Sequence, residues 1–389
     1  MMERNKLPKI PELLPPKIDY SKIFRELGQA NKAVGELQGV LTNIPNKFLL
    51  IDPMLTNEAV TSSKIEGTQA SLEEIYKYEA SKKQIEGIEK EQDIKEVLNY
   101  RKALKYSIDK IEKEGQPIGE NFIKEIHSML LDSTRGEKKD RGNLRRIQVF
   151  VGRRGATIDE ANYIPPPPTD LPRLLSNWEN YVNMNKDEDP LVIAAVSHYQ
   201  FEAIHPFMDG SGRIGRILIP IILFQKKYLN YPYLYMSEYF EHKRDNYIFW
   251  LQQMDENKIW EDWINFFLRS VTIQAIGSKI KALNMLILYH EKKEVIGSMN
   301  SKYAMNLLDI LFSNPMVSFK TLKKLMDAKS NQTIYNLLDK FVKGGILSEI
   351  GEEKRNSLYA FQELLDTVKT SSFSEKDELP SIGETPSGS

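Results

Sequence analysis

The stretch His205-Pro-Phe-Met-Asp-Gly-Ser-Gly-Arg-Ile-Gly-Arg216 carries most of the functional information in this 389-residue chain. The apolar run that follows it, as far as Phe224, predicts a helix whose first N–H groups and positive dipole end point toward the glycine-containing turn. Gly210 and Gly212 allow the backbone to take positive φ and to come close to an anion. The stretch therefore predicts a phosphate-binding loop at the start of a helix.

The polar side chains of the same stretch fit the transfer of part of a nucleoside triphosphate. Arg213 and Arg216 are three residues apart on one face of the first helical turn, where both can reach phosphate oxygens. Asp209 supplies an oxygen ligand of the kind that Mg²⁺ accepts beside phosphates. His205 is the side chain best suited to take a proton from a hydroxyl near neutral pH.

The twelve residues resemble the signature of Fic-domain proteins, His-Pro-Phe-x-(Asp/Glu)-Gly-Asn-(Gly/Lys)-Arg-x-x-Arg. Ser211 stands where that family usually has Asn, and a serine hydroxyl can still donate to a phosphate oxygen. The resemblance implies a protein adenylyltransferase that uses ATP and Mg²⁺ and moves AMP to a Ser, Thr or Tyr hydroxyl of a target protein or of itself. It implies His205 as the catalytic base, Asp209 as the metal ligand, and nucleotide binding by Gly210, Ser211, Gly212, Arg213 and Arg216.

A second motif lies in the first third of the chain. Ser62-x-x-x-Glu66-Gly67 matches the inhibitory pattern of the same family, (Ser/Thr)-x-x-x-Glu-(Gly/Asn). The resemblance implies an inhibitory helix over about 56–67 whose Glu66 pairs with Arg216 and takes the place of the ATP γ-phosphate. The alternative is a solvated helix end with Gly67 as an ordinary helix stop.

Composition excludes several classes of function. A hydrophobic content of 41%, a charged content of 28% and a formal net charge of −1 describe a protein with packed cores and no basic excess for nucleic acid. The chain has no cysteine, hence no disulfide and no thiol nucleophile, and its five histidines show no spacing typical of a transition-metal site. We expect no membrane span, and a proline-rich start without an apolar signal core predicts a cytoplasmic protein.

The periodicity of apolar residues predicts a mainly α protein, and the resemblance implies that it is built as a Fic-type helical bundle. Residues 1–90 correspond to the Fic N-terminal region, beginning with a proline-rich extended arm, and 91–295 to the catalytic core. Segments 148–152 and 162–165 surround a polar turn and predict a β-hairpin over about 145–166. The resemblance implies that this hairpin is the flap that precedes the signature in Fic proteins. Helices are predicted over about 20–41, 56–66, 82–113, 119–131, 169–183, 190–203, 214–227, 237–253 and 259–294, and another begins at the capping box of Ser71.

The C-terminal part has a different pattern. Three short helical segments and a hairpin within 300–365 predict a small winged-helix domain of the α+β class, and 366–389 is predicted to be a disordered tail. Lysines in the winged-helix segment are matched by acidic residues, so DNA binding is not favoured over a docking or dimer-stabilising role. The lysines lie at positions 320, 323, 324, 329, 340 and 343.

Two other interpretations stay open on sequence alone. One is a different Fic chemistry, such as transfer of phosphate or phosphocholine, or removal of AMP with a water positioned by Glu66. The other is a DNA-binding regulator with a winged helix and a nucleotide-sensing domain. A homodimer is implied by the resemblance only.

Overall fold

The computed structural model describes residues 7–42, 48–81, 87–152, 157–327, 330–350, 357–370 and 373. These residues form fifteen α-helices and three short strands, so the prediction of a mainly α fold with a small C-terminal α+β domain is confirmed. The helices are α1 Phe24–Thr42, α2 Phe48–Ile65, α3 Leu72–Ser81, α4 Ile88–Asp109, α5 Glu120–Leu130, α6 Leu171–Met184, α7 Pro190–Ile204, α8 Ser211–Gln225, α9 Ser237–His242, α10 Arg244–Asn257, α11 Trp260–Gly297, α12 Ala304–Ser313, α13 Phe319–Leu325, α14 Asn331–Lys343 and α15 Gln362–Lys369. The strands are β1 Met316–Ser318, β2 Ser348–Ile350 and β3 Leu358–Ala360.

Helices α7 and α8 form the centre of the bundle. Nearly all residues of both helices are buried, which agrees with sequences that are apolar on every face. Helix α7 begins with the Asp189 side chain accepting a hydrogen bond from the Leu191 N–H, and Pro190 occupies its first position. The short loop that joins the two helices carries His205 and Asp209, so two rigid buried elements fix the ends of this loop.

The N-terminal arm, residues 7–19, crosses the bundle without helix or strand, as predicted. The Lys9 N–H donates to the Ile164 carbonyl at 2.9 Å, and the Leu14 N–H donates to the Asn177 side chain at 2.7 Å. The arm therefore lies against the segment that was predicted as the second strand of the flap.

The long helix α11 packs along α1 in a parallel orientation. Ion pairs Glu26–Arg269 and Glu36–Lys279, at 3.3 and 2.6 Å, join the two helices. Contrary to the sequence expectation, α11 is long and apolar enough, by length and composition alone, to cross a membrane. Half of its most apolar window is buried inside the protein.

Several predicted boundaries were wrong. Helix α2 begins eight residues before the predicted start at Thr56, because Pro53 is accommodated inside the helix instead of preceding it. The helix predicted over 237–253 is two helices, α9 and α10, that meet at Lys243. The predicted flap hairpin has one antiparallel bridge, Val151 to Tyr163, and a short 3-10 helix over Ile158–Glu160. Residues 153–156 lie outside the described part.

The C-terminal unit has the predicted order of three helices and a hairpin, with β1 as an additional strand. The antiparallel sheet has the order β1-β3-β2. Residues 366–369, predicted as the start of a disordered tail, belong to α15, because Leu364, Leu365 and Val368 form a buried apolar stripe. The rest of the predicted tail lies outside the described residues, apart from Thr370 and Phe373. Helices α12 and α15 pack against α2, so this unit contacts the helix that carries Ser62 and Glu66.

Candidate active site

The loop between α7 and α8 turns sharply at two residues with left-handed backbone. His205 ends α7 with φ 46° and ψ 64°, and its N–H donates to the Phe201 carbonyl at 3.0 Å. Gly210 precedes α8 with φ 84°, a conformation that glycine adopts without strain. The loop thereby holds the His205 imidazole near the N-terminus of α8, where backbone N–H groups have no partner within the helix.

His127 on α5 supports the loop from behind. Its Nδ1 accepts the Gly142 N–H at 2.9 Å, so the ring proton is on Nε2, which donates to the Asp209 carbonyl at 3.0 Å. The ring stacks on Phe207 with centroids 4.0 Å apart. Burial lowers the pKa of His127 to about 4, so the imidazole is neutral at pH 7. His127 is thus a buried structural residue that supports the loop.

Arg145 is a site residue that sequence reasoning placed only at the start of the flap. It is 2% exposed and donates from Nε to the His205 carbonyl at 2.8 Å and from Nη2 to the Pro166 carbonyl at 2.5 Å. Burial lowers its pKa to about 10, which leaves the guanidinium charged at pH 7. Arg145 thus satisfies a carbonyl at the end of α7 and joins the flap segment to His205.

Arg216 is bound by both residues of the predicted inhibitory motif. Its Nε donates to Ser62 Oγ at 2.8 Å, and its Nη2 donates to the Ser62 carbonyl at 3.0 Å and to Glu66 Oε1 at 2.7 Å. Burial raises the pKa of the Glu66 carboxyl, but the charge and hydrogen bond of Arg216 outweigh that effect and hold it below its usual value. Gly67, with φ 99°, ends the turn after α2, so an ordinary helix stop and the Arg216 contact coexist.

The carboxylate of Glu66 lies directly over the start of α8. A Cβ added to Gly212 would be 2.5 Å from Glu66 Oε1 and 3.2 Å from Arg216 Nη1. A side chain at this position would displace the Glu66 carboxylate, so glycine leaves the space that this carboxylate occupies. The carboxylate occupies the place beside the helix N-terminus where an anion is favoured.

A cavity of about 210 Å³ brings His205, Glu66, Gly212 and Arg216 together. Burial lowers the pKa of His205 to about 4, and the negative charge of Glu66 opposes this shift only in part. The imidazole is therefore neutral at pH 7 and can accept a proton inside the cavity. Tyr163, Tyr199, Glu202, Tyr247 and Asp255 also line the cavity.

The remaining loop residues differ in what their side chains can reach. Ser211 is 1% exposed, and its Oγ accepts the Phe207 N–H at 3.1 Å. The hydroxyl accepts a hydrogen bond within the loop and keeps its own proton as a donor, so donation to a phosphate stays a prediction. Arg213 is paired with Asp209 at 2.9 Å, and its Nε and Nη1 have no hydrogen-bond partner in the described part of the chain. Asp209 is also 3.1 Å from Lys139 Nζ.

His198 on α7 lies in the core of the bundle. Its Nδ1 lies 3.2 Å from the Gly215 carbonyl, which can only accept, so its Nε2 accepts from the Tyr247 hydroxyl at 3.0 Å. Burial lowers the pKa of His198 to about 3. This histidine fixes the position of Tyr247 at the cavity wall.

Comparison with known proteins places this geometry in a family. The model of the Fic/DOC family N-terminal region matches residues 24–109, and the model of the Fic/DOC family matches residues 117–223. A protein adenylyltransferase Fic of Culex quinquefasciatus is 30% identical over 186 residues, which cover 47% of this chain and 34% of that protein. A protein adenylyltransferase Fic of Nematostella vectensis is 30% identical over 200 residues, which cover 51% of this chain and 42% of that protein. The chain thus matches less than half the length of these two relatives.

A solved structure shows the same fold over most of the chain. The crystal structure of a Fic family protein from Desulfovibrio desulfuricans aligns with a TM-score of 0.55 and 19% identity, covering 90% of this chain and 98% of that one. The two family models cover α1 to α8, including the residues of both motifs, and the solved structure extends the likeness through the C-terminal unit. The chain belongs to the Fic/DOC family.

Proposed function

We propose that this protein is an auto-inhibited protein adenylyltransferase, which transfers AMP from ATP to a Ser, Thr or Tyr hydroxyl of a protein. One observation carries the proposal. The Glu66 carboxylate, held by Arg216 at 2.7 Å, occupies the anion position at the start of α8, in the same cavity as a neutral His205. The names of the curated relatives support the same reaction class.

The proposed nucleotide binding rests on N–H donors that have no hydrogen-bond partner. The first N–H groups of α8 point out of the helix beside the cavity, and Gly212 leaves room for an anion once the Glu66 carboxylate has moved. Arg213 has two buried nitrogens, Nε and Nη1, without a hydrogen-bond partner among the described residues, although Nη1 lies 3.7 Å from the Glu96 carboxylate. A buried donor left without a partner is costly, and phosphate oxygens are natural acceptors for a guanidinium. The β- and γ-phosphates would bind there.

The proposed reaction is a displacement at the α-phosphorus of ATP. The neutral imidazole of His205 takes the proton of the acceptor hydroxyl, whose oxygen forms a bond to that phosphorus. The bond from the phosphorus to the oxygen that bridges to the β-phosphate breaks, and pyrophosphate leaves. Arg213, Arg216 and the helix N-terminus stabilise the charge that develops on the leaving group.

A divalent cation fits one part of the site. No group of three His, Asp or Glu side chains in the described ranges could hold a metal alone. Asp209 offers one carboxylate at the edge of the loop, and the charges of Arg213 and Lys139 keep its pKa low against the effect of burial. Mg²⁺ is commonly held by one or two carboxylates together with phosphates, so Asp209 would hold it with the nucleotide. When bound, Mg²⁺ neutralises phosphate charge.

Inhibition follows from charge and space. A γ-phosphate at Arg216 must compete with a carboxylate that already accepts a hydrogen bond from that guanidinium and is fixed by the turn at Gly67. Two anions at one site repel each other, so ATP would bind with its α-phosphorus displaced from His205. A displacement of about 1 Å can cost on the order of 10²-fold in rate.

The flap segment is the proposed binding place for the target chain. Ile147, Phe150 and Val151 expose 57%, 38% and 37% of their surface, although they are apolar. The opposite segment already accepts the N-terminal arm through Lys9 and Ile164. A target peptide would therefore add along 147–151, where main-chain pairing holds an extended segment without a strict sequence requirement.

The proposed chemistry is tested by the label that remains on the protein. The Glu66→Gly variant, incubated with Mg²⁺ and ATP labelled at the α-phosphate, is expected to gain one or more AMP masses and release pyrophosphate. The same reaction with ATP labelled at the γ-phosphate serves as the matched control and should leave the protein unlabelled. A γ-label on the protein would show phosphate transfer instead. No label, on the protein or on any protein of a cell lysate, would contradict the proposal.

The depressed pKa of His205 sets the pH dependence of the reaction. The neutral form is the base, and burial lowers the pKa of His205 to about 4, so the base stays available well below pH 6.5. Removal of Glu66, whose charge raises this pKa, lowers it further. The single-turnover rate of Glu66→Gly at saturating Mg²⁺ and ATP is therefore expected to be flat from pH 8 to pH 6. A rate that halves near pH 6.5, the ordinary histidine value, would show that His205 is solvated in the active state.

A further inference from the structure

A column of polar side chains runs along one face of α2. Glu58, Ser62 and Glu66 follow each other at intervals of four residues, and Ser62 and Glu66 are the two residues that bind Arg216. Glu58 lies one turn before Ser62, is 2% exposed, and has no part in the proposed reaction. A carboxyl group so deeply buried requires an explanation, because its burial is costly.

Glu58 is bound by two other helices. Its Oε1 accepts the Tyr100 hydroxyl of α4 at 2.8 Å and the Ser237 hydroxyl of α9 at 2.6 Å. Its Oε2 accepts the Ser237 N–H at 3.1 Å. All three partners donate, which favours the ionised form of the carboxyl. Burial outweighs these hydrogen bonds and raises the pKa of Glu58 to about 7. Through the three hydrogen bonds, Glu58 ties α2 to the helices on both of its sides.

Polar contacts continue from Glu58 toward the active site. The Tyr100 hydroxyl also interacts with the Ser62 side chain. Ser62 Oγ accepts the Nε of Arg216 at 2.8 Å. A continuous buried chain of polar groups therefore leads from Ser237 through Glu58, Tyr100 and Ser62 to Arg216.

We propose that Glu58, Tyr100 and Ser237 are positioning residues that hold α2 in the place where Glu66 blocks the nucleotide. The proposal rests on the proposed inhibitory role of Glu66. The three residues do not line the cavity and make no hydrogen bond to Arg216, although the charge of Arg216 reaches Glu58 and Tyr100 through space. We assign their effect to the position of the helix. Their loss would let the end of α2 shift and would weaken the competition between Glu66 and the γ-phosphate.

A second attachment limits the size of the effect. The turn after Glu66 is held by the Thr68 hydroxyl, which donates to Glu96 at 2.8 Å, and by the Gln69 N–H, which donates to Asp93 at 2.8 Å. Loss of the Tyr100 hydroxyl alone should therefore release Glu66 in part. We expect a rate increase on the order of 5-fold, the factor that corresponds to about one net hydrogen bond.

The test compares two variants with the same chemical change, each in the full chain. Tyr100→Phe removes the hydroxyl that binds Glu58. Tyr181 lies on α6, away from α2, and Tyr181→Phe removes a hydroxyl that donates to Glu188 at 2.5 Å. Auto-modification with α-labelled ATP is expected to rise in Tyr100→Phe and to stay at the wild-type rate in Tyr181→Phe. Amide hydrogen exchange of residues 58–66 is expected to accelerate in Tyr100→Phe only.

A double variant separates positioning from a general structural effect. In the Glu66→Gly background, Tyr100→Phe should add nothing to the rate, because Glu66 is no longer there to be held. An equal increase in both backgrounds would overturn the proposal. Unchanged exchange and an unchanged rate in Tyr100→Phe, with an active Glu66→Gly, would overturn it while the proposed function stands.

The same set of variants also interprets two further outcomes. If no variant transfers AMP, the proposed function fails. Faster amide exchange of residues 58–66 in Tyr100→Phe then still shows whether Tyr100 and Glu58 hold α2. If Tyr100→Phe fails to fold, Ser237→Ala removes the other hydroxyl on Glu58 Oε1 and must give the same rate increase, again absent without Glu66.

Discussion

His205→Ala is expected to lower the rate of AMP transfer by roughly 10²- to 10⁴-fold, the usual contribution of a general base. The loss follows from the neutral imidazole in the cavity, which this variant removes while the α8 N-terminus and both arginines remain. ATP binding, measured by calorimetry in the Glu66→Gly background, should therefore change little. The rate is measured by single-turnover transfer from α-labelled ATP in the same background.

The backbone at His205 requires a second variant. His205 has φ 46°, a left-handed conformation that alanine disfavours and asparagine tolerates. His205→Asn should therefore fold with the loop intact and lose transfer to the same extent. His290→Ala, at an exposed histidine of α11, serves as the control and should keep the full rate. Transfer that persists in His205→Asn would show that another group accepts the proton.

Glu66→Gly is expected to raise the rate of auto-modification by about 10²-fold over wild type, since a misplaced α-phosphorus costs on the order of that factor. The variant removes the carboxylate 2.7 Å from Arg216 Nη2 and opens the space beside Gly212. It does not weaken α2 directly, because the helix ends at Ile65. The gain in AMP mass over time, measured on intact protein, gives both rates.

Two matched variants test the cause of this increase. Glu294→Gly makes the same change at an exposed position near the end of α11, away from Arg216, and should keep the wild-type rate. Glu66→Gln keeps the shape of the side chain but removes its charge, so we expect a rate between those of wild type and Glu66→Gly. Equal rates for wild type and Glu66→Gly would contradict auto-inhibition, whatever reaction the cavity performs.

Much of the site could be predicted because its parts are local in sequence. The glycines, arginines and carboxylate of the loop lie within twelve residues, and the apolar run after them predicts α8. The resemblance to Fic proteins also implied the contact between Glu66 and Arg216, although 150 residues separate them. Periodicity alone carries no information on which distant side chains meet, so residues without a motif were missed.

Arg145 and Glu58 show why such residues could not be found. In the sequence, Arg145 begins the flap segment and Glu58 is a polar position in a helix. Their roles depend on the carbonyls that Arg145 reaches at the end of α7 and on the donors that α4 and α9 bring to Glu58. For Ser211 the structure adds that its hydroxyl accepts the Phe207 N–H within the loop, and its contact with a phosphate stays a prediction.

The sequence by itself determined the helical class, the family and the chemical character of the loop, because these depend on residue type and on spacing along one chain. Only the tertiary structure decided that Glu66 lies over Gly212, that burial keeps His205 neutral, and that α2 is fixed through Glu58. Each of these depends on which surfaces exclude water and which donors meet which acceptors across the core. Such pairings are set by the packing of whole helices, and no local pattern records them.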